Sequence, residues 1–159
     1  MLVSLTHLAF DVFDPATTLT MHSKQSPTDA EIAPVLPAIA EQARRHQRVR
    51  SLVFTDGGAP TLAQRKRTIE LVGDRNFVVR NAVVSDATSV RFVISAIALV
   101  SEAIQSFSCS DFSSALEFLE YSADERAVVV AKLKAIAKNV PSGRFSAFDR
   151  VVASLGVVR

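Results

Sequence analysis

Three short apolar runs alternate with helical stretches along the middle of this chain. The runs are residues 51–55, 77–84 and 104–108, and each is followed by a stretch with helical periodicity. Apolar runs of four to eight residues between turn signals are typical of strands that are covered on both faces. Because neighbouring parallel strands need a crossover connection, usually a helix, the alternation predicts a mainly parallel sheet covered by helices.

The first residues predict a β-hairpin that leads into this sheet. Residues 2–6 and 8–13 are rich in β-branched and apolar side chains, and Asp14-Pro15 is a turn signal. Residues 17–21 can then pair back on the second of these runs. We therefore expect an α/β fold that combines an N-terminal hairpin with a mainly parallel sheet and helices packed on it.

Two proline residues complicate the first helix. Thr28 and Glu31 stand at the spacing of a capping box, apolar side chains from Ile32 to Ala43 then recur at helical spacing, and the helix is expected to reach Gln47. An interior proline removes a backbone hydrogen bond and bends a helix. Pro34 and Pro37 therefore leave two possibilities, a helix kinked near Pro37 or a short turn followed by a helix.

The next two helices are predicted to differ in polarity. Thr61 has the N-cap position of a helix that extends through Val72 and carries several charged side chains. Gly73 and Asp74 end it. Residues 88–102 form the following helix, which is apolar nearly all the way round. Such a surface needs cover on every side, so we expect this helix to be heavily buried.

The last part of the chain contains helical patterns only. Ser122 and Glu125 stand at capping-box spacing before one helix, and a second short helix starts near Ser146. We therefore divide the chain into an α/β domain over residues 1–120 and a two-helix C-terminal extension over residues 121–159. The apolar stripe of the extension either folds back on the sheet or binds a partner. Its candidate partner-binding residues are Val129, Leu133, Ile136, Val140, Phe148 and Val152.

The basic character of the chain belongs to this extension. Residues 120–159 contain seven of the 18 Lys and Arg but four of the 16 Asp and Glu, which leaves 11 basic and 12 acidic residues in 1–119. The net charge is only +2, Trp is absent and Tyr occurs once, which does not favour nucleic-acid binding. We expect instead a protein partner or a second copy of the chain.

Several classes of protein are excluded by the composition. A single cysteine cannot form an internal disulfide, and Cys109 and the three histidines lack the spacing of zinc ligands. The first residues lack the features of a signal peptide. The most apolar stretch, residues 92–100, is shorter than the roughly 20 residues that span a bilayer. We expect a cytoplasmic protein with no membrane span, cofactor or metal.

Polar residues follow each of the three apolar runs. The carboxyl ends of parallel strands meet at one rim of a sheet, where open α/β sheets bind ligands. The Gly-Gly loop there either binds an anion or forms a tight turn, and the hydroxyls either bind a phosphoryl group or cap the next helix. The candidate ligand-binding or phospho-switch residues are Asp56, Gly57, Gly58, Thr61, Ser85, Asp86 and Ser108.

Nucleophilic catalysis finds little support in the sequence. The thiol of Cys109 needs a nearby base, but all three histidines fall in the first third of the chain. Ser85 and Thr61 are not part of a GxSxG motif. A hydrolase that uses one of these three residues is therefore the least favoured hypothesis.

Three pairs of segments carry a likeness to a known family. They are RSLVFTDGG (50–58) with the following Gln64-Arg65, AVVSD (82–86) with Val90-Arg91, and IQSF (104–107) with ALEFL (115–119). Together with the order of elements over residues 1–119, they resemble the STAS domain, and more narrowly the SpoIIAA-like STAS proteins of bacteria. The resemblance implies a small regulatory or ligand-sensing module rather than an enzyme.

The same resemblance draws attention to the loop after the first apolar run. In anti-sigma-factor antagonists of this family, a serine at the start of the second helix is phosphorylated, and this switches partner binding. Here the Asp-Ser-x-Gly pattern is replaced by residues 56–61, DGGAPT, in which Thr61 is the hydroxyl nearest to that position.

The leading hypothesis is a non-catalytic regulatory or scaffolding module that binds a protein partner or self-associates. The alternative is a carrier of a small hydrophobic ligand or lipid. Residues 92–100 are apolar enough to favour it, and the STAS fold is related to lipid-carrier folds.

Overall fold

A computed structural model of the chain describes residues 2–14, 16–72 and 78–157. Six strands form one mixed sheet, in which they lie side by side in chain order. The strands are β1 (Val3–Ser4), β2 (Leu8–Phe13), β3 (Thr17–His22), β4 (Arg48–Thr55), β5 (Val78–Val84) and β6 (Ile104–Phe107). β1, β2 and β3 pair antiparallel, and β3 to β6 pair parallel. The predicted α/β fold, with an N-terminal hairpin and a mainly parallel sheet, is confirmed.

Helices cover both faces of this sheet. They are α1 (Asp29–Ile32), α2 (Val35–Arg45), α3 (Leu62–Val72), α4 (Thr88–Ala98), α5 (Phe112–Phe118), α6 (Ala123–Ala137) and α7 (Ser146–Ser154). Every parallel step moves in the same direction along the sheet, so right-handed crossovers place α2, α3 and α4 on one face. We call this the crossover face; Phe10, Thr20 and Ser51 point to it. α5, α6 and α7 cover the opposite, C-terminal face, to which Leu52 and Phe54 point.

The chain between β3 and β4 forms a one-turn helix and then a longer one. α1 begins with the predicted capping box: Thr28 Oγ1 accepts from Glu31 N (3.3 Å), and the Glu31 carboxylate accepts from Thr28 N (2.9 Å). Pro34 is the N-cap of α2, and Pro37 lies in its first turn, where backbone N–H groups have no partner within the helix. Of the two possibilities for these prolines, the structure shows the short turn followed by a helix.

The crossover through α3 begins as predicted. Thr61 Oγ1 accepts from Gln64 N (3.2 Å) and Gln64 Oε1 accepts from Thr61 N (2.9 Å), so each side chain caps the backbone of the other. The predicted helix end at Gly73 and Asp74 lies outside the described residues, as does Phe77, the first residue of the second predicted strand.

The C-terminal face carries the main hydrophobic core. Phe54 of β4 contacts Phe112 of α5 and Phe148 of α7, with ring centroids 5.9 and 5.3 Å apart. Leu52 of the same strand belongs to this cluster. The C-terminal helices therefore fold back on the sheet, and residues 121–157 share one core with it.

This arrangement corrects the role predicted for the apolar stripe of the C-terminal helices. Each of the six candidate partner-binding side chains is at most 4% exposed, because it faces the sheet or the neighbouring helix. These side chains are Val129, Leu133, Ile136, Val140, Phe148 and Val152. They are therefore not accessible to another protein.

The crossover face has a smaller core than the C-terminal face. Its cluster of buried residues is Leu8, Phe10, Ile32 and Val35, which bring together β2, α1 and α2. Toward β5 and β6 the strand residues on this face are less buried: Asn81, Ile104 and Ser106 are only partly buried, whereas Leu8 and Phe10 are fully buried.

The prediction that residues 88–102 form a heavily buried helix is wrong. α4 ends at Ala98, and none of its side chains is fully buried. The helix packs mainly on β6, the last strand of the sheet, so even its inner stripe of Val90, Ile94 and Ala98 is only half-buried. Because α4 stands at the edge of the sheet, its outer side remains exposed.

Candidate functional site

The loops that follow β4, β5 and β6 meet at one rim of the sheet, and α7 begins there. The Asp56 carboxylate accepts hydrogen bonds from Ser146 N and Ala147 N, both at 2.7 Å. The first N–H groups of a helix have no partner within it, and a carboxylate beside them also interacts favourably with the helix dipole. Asp56 therefore caps α7, although it lies 90 residues earlier in the chain than Ser146.

Asp86 links the same rim to α7 from the next strand. Its carboxylate accepts from Cys109 N (2.9 Å) and from Arg150 Nη1 (2.6 Å). The hydrogen bond from the backbone of Cys109 lowers the pKa of Asp86 against the effect of burial, and Arg150 lowers it further. Asp86 thus holds the end of β5, the turn after β6 and α7 together as an ionised carboxylate.

Gly57 and Gly58 form a tight turn rather than an open cradle. Gly57 has a φ of +133°, a backbone conformation that residues other than glycine rarely adopt. Gly58 N donates to Ser23 O (2.8 Å), and a Cβ at this position would overlap the carbonyl oxygens of Ser23 and Gln25. The two glycines are therefore required for the close approach of this loop to residues 23–25.

The rim hydroxyls take part in local hydrogen bonds. Ser85 is fully buried; its Oγ donates to Thr55 O (2.7 Å) and accepts from Ala87 N (3.1 Å). Thr61 caps α3, as described above. Ser108 and Ser110 are hydrogen-bonded to each other through their side chains (3.0 Å) near the surface. Two of the three rim hydroxyls that the sequence singled out thus stabilise turns and helix ends.

Cys109 lies beneath the rim with little exposure. Its Sγ donates to Ala147 O at 3.6 Å, and the residue is 5% exposed. Burial, together with the neighbouring Asp86 carboxylate, raises the pKa of the thiol to about 12. The nucleophilic form of cysteine is the thiolate, so this side chain is a poor nucleophile near neutral pH.

The predicted site residues are therefore brought together, but around the chain's own last helix. Asp56 binds the start of α7, Asp86 binds Arg150 in the middle of the same helix, and Gly57 and Gly58 directly follow Asp56. The rim is thereby filled by the chain itself. Two of the open surfaces in the described part of the chain carry the argument below, and neither was predicted from the sequence.

The first is the edge of the sheet formed by β6 and the outer side of α4, which we call the α4–β6 edge. It exposes large apolar side chains on α4 and on the turn that follows it. Their exposed fractions are Phe92 76%, Val93 55%, Ile97 38%, Leu99 87% and Val100 88%. Because this helix was predicted to be buried, the sequence did not indicate that its apolar side chains would be exposed.

The second is a cavity of about 450 Å³ on the crossover face, between the sheet, α2 and α3. Thr18 and Thr20 of β3, Ser51 of β4 and Asn81 of β5 line it. Thr18 and Thr20 are two positions apart on one face of β3, but Ser51 and Asn81 come beside them only through the pairing of β3, β4 and β5.

No protein family, curated protein or solved structure matches this chain. Fold and site together define an α/β protein with a mixed six-stranded sheet, whose carboxyl-end rim is closed by its own C-terminal helix. Within the described residues, no helix has the length and apolar composition needed to cross a membrane.

Proposed function

We propose that this chain is a non-catalytic interaction module that self-associates through the α4–β6 edge. The exposed apolar surface of α4, beside a strand with an open edge, is the observation that carries the proposal. Burying a large apolar side chain contributes about 1.5–3 kcal/mol relative to leaving it exposed. Apolar side chains gathered on one exposed surface mark an interaction site on a folded protein.

β6 presents an edge that can pair with another strand. The carbonyls of Ala103 and Phe107 accept from Asn81 N and Ser85 N of the β5 side. Because backbone groups alternate in direction along a strand, those of Ile104 and Ser106 point away from β5. Within the described part of the chain the sheet ends at β6, so these groups have no strand beside them.

This edge lacks the features that keep sheet edges apart. Natural edge strands are protected by charged residues, by proline, by bulges or by being very short. β1, at the other edge, has two residues. β6 reads Ile-Gln-Ser-Phe, with no charge and no proline. Strand pairing is therefore favoured at β6 and not at β1.

A second copy of the chain fits this surface. In a two-fold contact the same surface meets itself, so it has to be self-complementary. Arg91 lies in the first turn of α4 and Glu102 lies beyond its end, and neither has an ion-pair partner among the described residues. Antiparallel pairing of two β6 strands brings the two α4 helices together head to tail, with Arg91 of each copy toward the Glu102 end of the other.

The hydrogen bonds and protonation of the potential nucleophiles support a non-catalytic role. The Ser85 hydroxyl donates to a backbone carbonyl, Thr61 caps α3, and the thiol of Cys109 is protonated near neutral pH. A regulatory or scaffolding role in a bacterial cell, which the resemblance to the STAS domain implies, is part of the same proposal.

Mass measurement in solution tests this proposal. Light scattering coupled to size-exclusion chromatography should give twice 17.2 kDa at high micromolar concentration. Leu99→Asp, at the residue that follows α4 and is 87% exposed, should restore the single-chain mass. Val128→Asp is the matched control, because Val128 is also exposed (52%) but lies on α6, on the opposite face.

A wild-type mass of 17.2 kDa at every concentration would refute self-association. A dimer that both substitutions dissociate, or that neither dissociates, would show that another surface holds the copies together. Circular dichroism of both variants establishes that each remains folded.

The second candidate function, a carrier of a small hydrophobic ligand, depends on a different observation. The cavity on the crossover face has the dimensions of a ligand site and lies away from the α4–β6 edge.

A further inference from the structure

We infer that the cavity on the crossover face is a binding site for an uncharged small molecule with an apolar body and one polar end. The inference deepens the second candidate function and does not depend on self-association. The cavity volume of about 450 Å³ lies within the range of small-molecule sites, roughly 300–1,000 Å³.

The walls of the cavity are apolar and come from both helices and the sheet. α2 and α3 supply one side, and strand residues supply the other. The apolar lining residues are Phe10, Ile39, Ala43, Val49, Ile69 and Val79. Such walls bind the hydrocarbon part of a ligand by removing it from water, without specifying its orientation.

The floor of the cavity is polar. Thr18, Ser51 and Asn81 are directly opposite one another on β3, β4 and β5, so their side chains form a row across three strands. Thr20 lies next to this row on the same face. Neighbouring strands are about 4.8 Å apart, so Ser51 stands about one strand spacing from both Thr18 and Asn81, and the polar end of a ligand can contact adjacent members of the row.

These four side chains have no hydrogen-bond partner in the part of the chain that the structure describes. Thr68, a fifth polar lining residue, differs, because its Oγ1 donates to Gln64 O (3.0 Å). Thr18 is 7% exposed, and Thr20, Ser51 and Asn81 are partly buried, so all four polar groups lie at the wall of the cavity without a partner from the described chain. A ligand with a polar end can take up these open hydrogen-bonding positions.

The lining also determines the charge of the ligand. None of the described residues that line the cavity is Asp, Glu, Lys, Arg or His. A carboxylate or an ammonium group would lose its hydration there without gaining a counter-charge. Hydroxyl and amide side chains both donate and accept hydrogen bonds, so they match an alcohol, carbonyl or amide end.

A pair of probes tests this chemistry. Octan-1-ol and octanoate have the same chain length but differ in the charge of their polar end at neutral pH. Binding is measured from the methyl NMR shifts of Ile39 and Ile69, both of which line the cavity. Octan-1-ol should bind at least about tenfold more tightly than octanoate, because the anion has no counter-charge in the cavity.

Two substitutions of the same kind locate the site. Ala43→Leu fills the cavity from α2 and should weaken octan-1-ol binding by at least about tenfold, because the ligand and the new side chain compete for one volume. Ala153→Leu makes the identical change on the exposed side of α7 and should leave binding unchanged. Both are studied in the Leu99→Asp background, so that self-association does not affect the result.

Near-isosteric substitutions measure what the polar floor contributes to ligand binding, because they leave the apolar walls unchanged. Thr20→Val and Ser51→Ala retain the fold but remove hydroxyls that lie in the cavity. Each should weaken octan-1-ol binding by about two- to tenfold, the value of a typical hydrogen bond. The inference is overturned if octan-1-ol does not bind, if octanoate binds as tightly, or if Ala43→Leu and Ala153→Leu have equal effects.

Discussion

The two faces of the sheet are built from the same strands but are packed differently. On the C-terminal face polar groups have partners: Thr17 Oγ1 and Tyr121 OH are 2.7 Å apart, and Arg50 forms an ion pair with Glu125 (3.0 Å). Across the strand, Thr18 faces the cavity and has no such partner among the described residues. Positions one residue apart in the same strand thus belong to a closed core and to an open site.

This difference separates the part of the molecule that stabilises the fold from the surfaces at which we propose binding. α5, α6 and α7 complete a continuous apolar core on one face, and they close the rim at Asp56 and Asp86. On the other face α3 and α4 leave a cavity and an exposed apolar edge. We therefore locate the free energy of folding mainly on the C-terminal face and the proposed binding surfaces on the crossover face and its edge.

The largest expected effect comes from truncating a leucine in the main core, compared with an exposed leucine on a crossover helix. Leu133→Ala, on α6, removes a fully buried side chain and should lower the free energy of unfolding by about 2–5 kcal/mol. Leu62→Ala, at the start of α3, removes a side chain that is 78% exposed and should change it by less than about 0.5 kcal/mol. Urea unfolding measures both, and equal losses would contradict the assignment of the main core.

Acid provides the next test, because the crossover face contains a buried histidine. His22 is 3% exposed at the end of β3, and its Nδ1 has no hydrogen-bond partner among the described residues. Burial lowers its pKa from 6.5 to about 4. The unfolded chain binds this proton near pH 6.5 and the folded chain does not, so stability falls as the pH drops through this window.

The expected loss from this group is about 2–3 kcal/mol between about pH 7 and about pH 4.5. Urea unfolding at both pH values measures it. His22→Leu, which cannot titrate, should reduce the difference between the two pH values by that amount. If the variant and the wild type lose stability equally on acidification, His22 is not held neutral in the fold.

A smaller effect is expected at the junction of the sheet with α7. Asp56→Ala removes the carboxylate that accepts from Ser146 N and Ala147 N, and should cost about 1–2 kcal/mol, as loss of a helix cap does. Asp111→Ala, whose exposed carboxylate accepts from the Ser114 hydroxyl, is the control and should cost less than about 0.5 kcal/mol. Urea unfolding with similar losses in both variants would contradict the role of Asp56 as a cap.

Local patterns in the sequence predicted much of the fold. The capping boxes at Thr28 and Ser122 are formed as expected, because their hydrogen bonds join residues three positions apart. The parallel strands followed from apolar runs separated by helices, a pattern that depends on the local period of apolar residues. Local chemistry of this kind can be read without knowing the tertiary structure.

The site depended on contacts between distant parts of the chain. Asp56 caps a helix 90 residues later, and no local pattern indicates that partnership. The apolar side chains of α4 predicted burial, but apolarity does not say whether the covering surface belongs to the same chain. Thr18, Ser51 and Asn81 become one row only through the register of three strands. Long-range pairing, rather than residue type, determined where these binding surfaces lie.

Hydrogen exchange at β6 tests the central claim most directly, since it reports on the open edge itself. The amides of Ile104 and Ser106 point away from β5, so in a single chain no strand protects them. Self-association through the α4–β6 edge predicts slow exchange of both amides at high micromolar concentration, and fast exchange on dilution or in Leu99→Asp. Fast exchange at every concentration, or protection that persists in Leu99→Asp, would contradict the account.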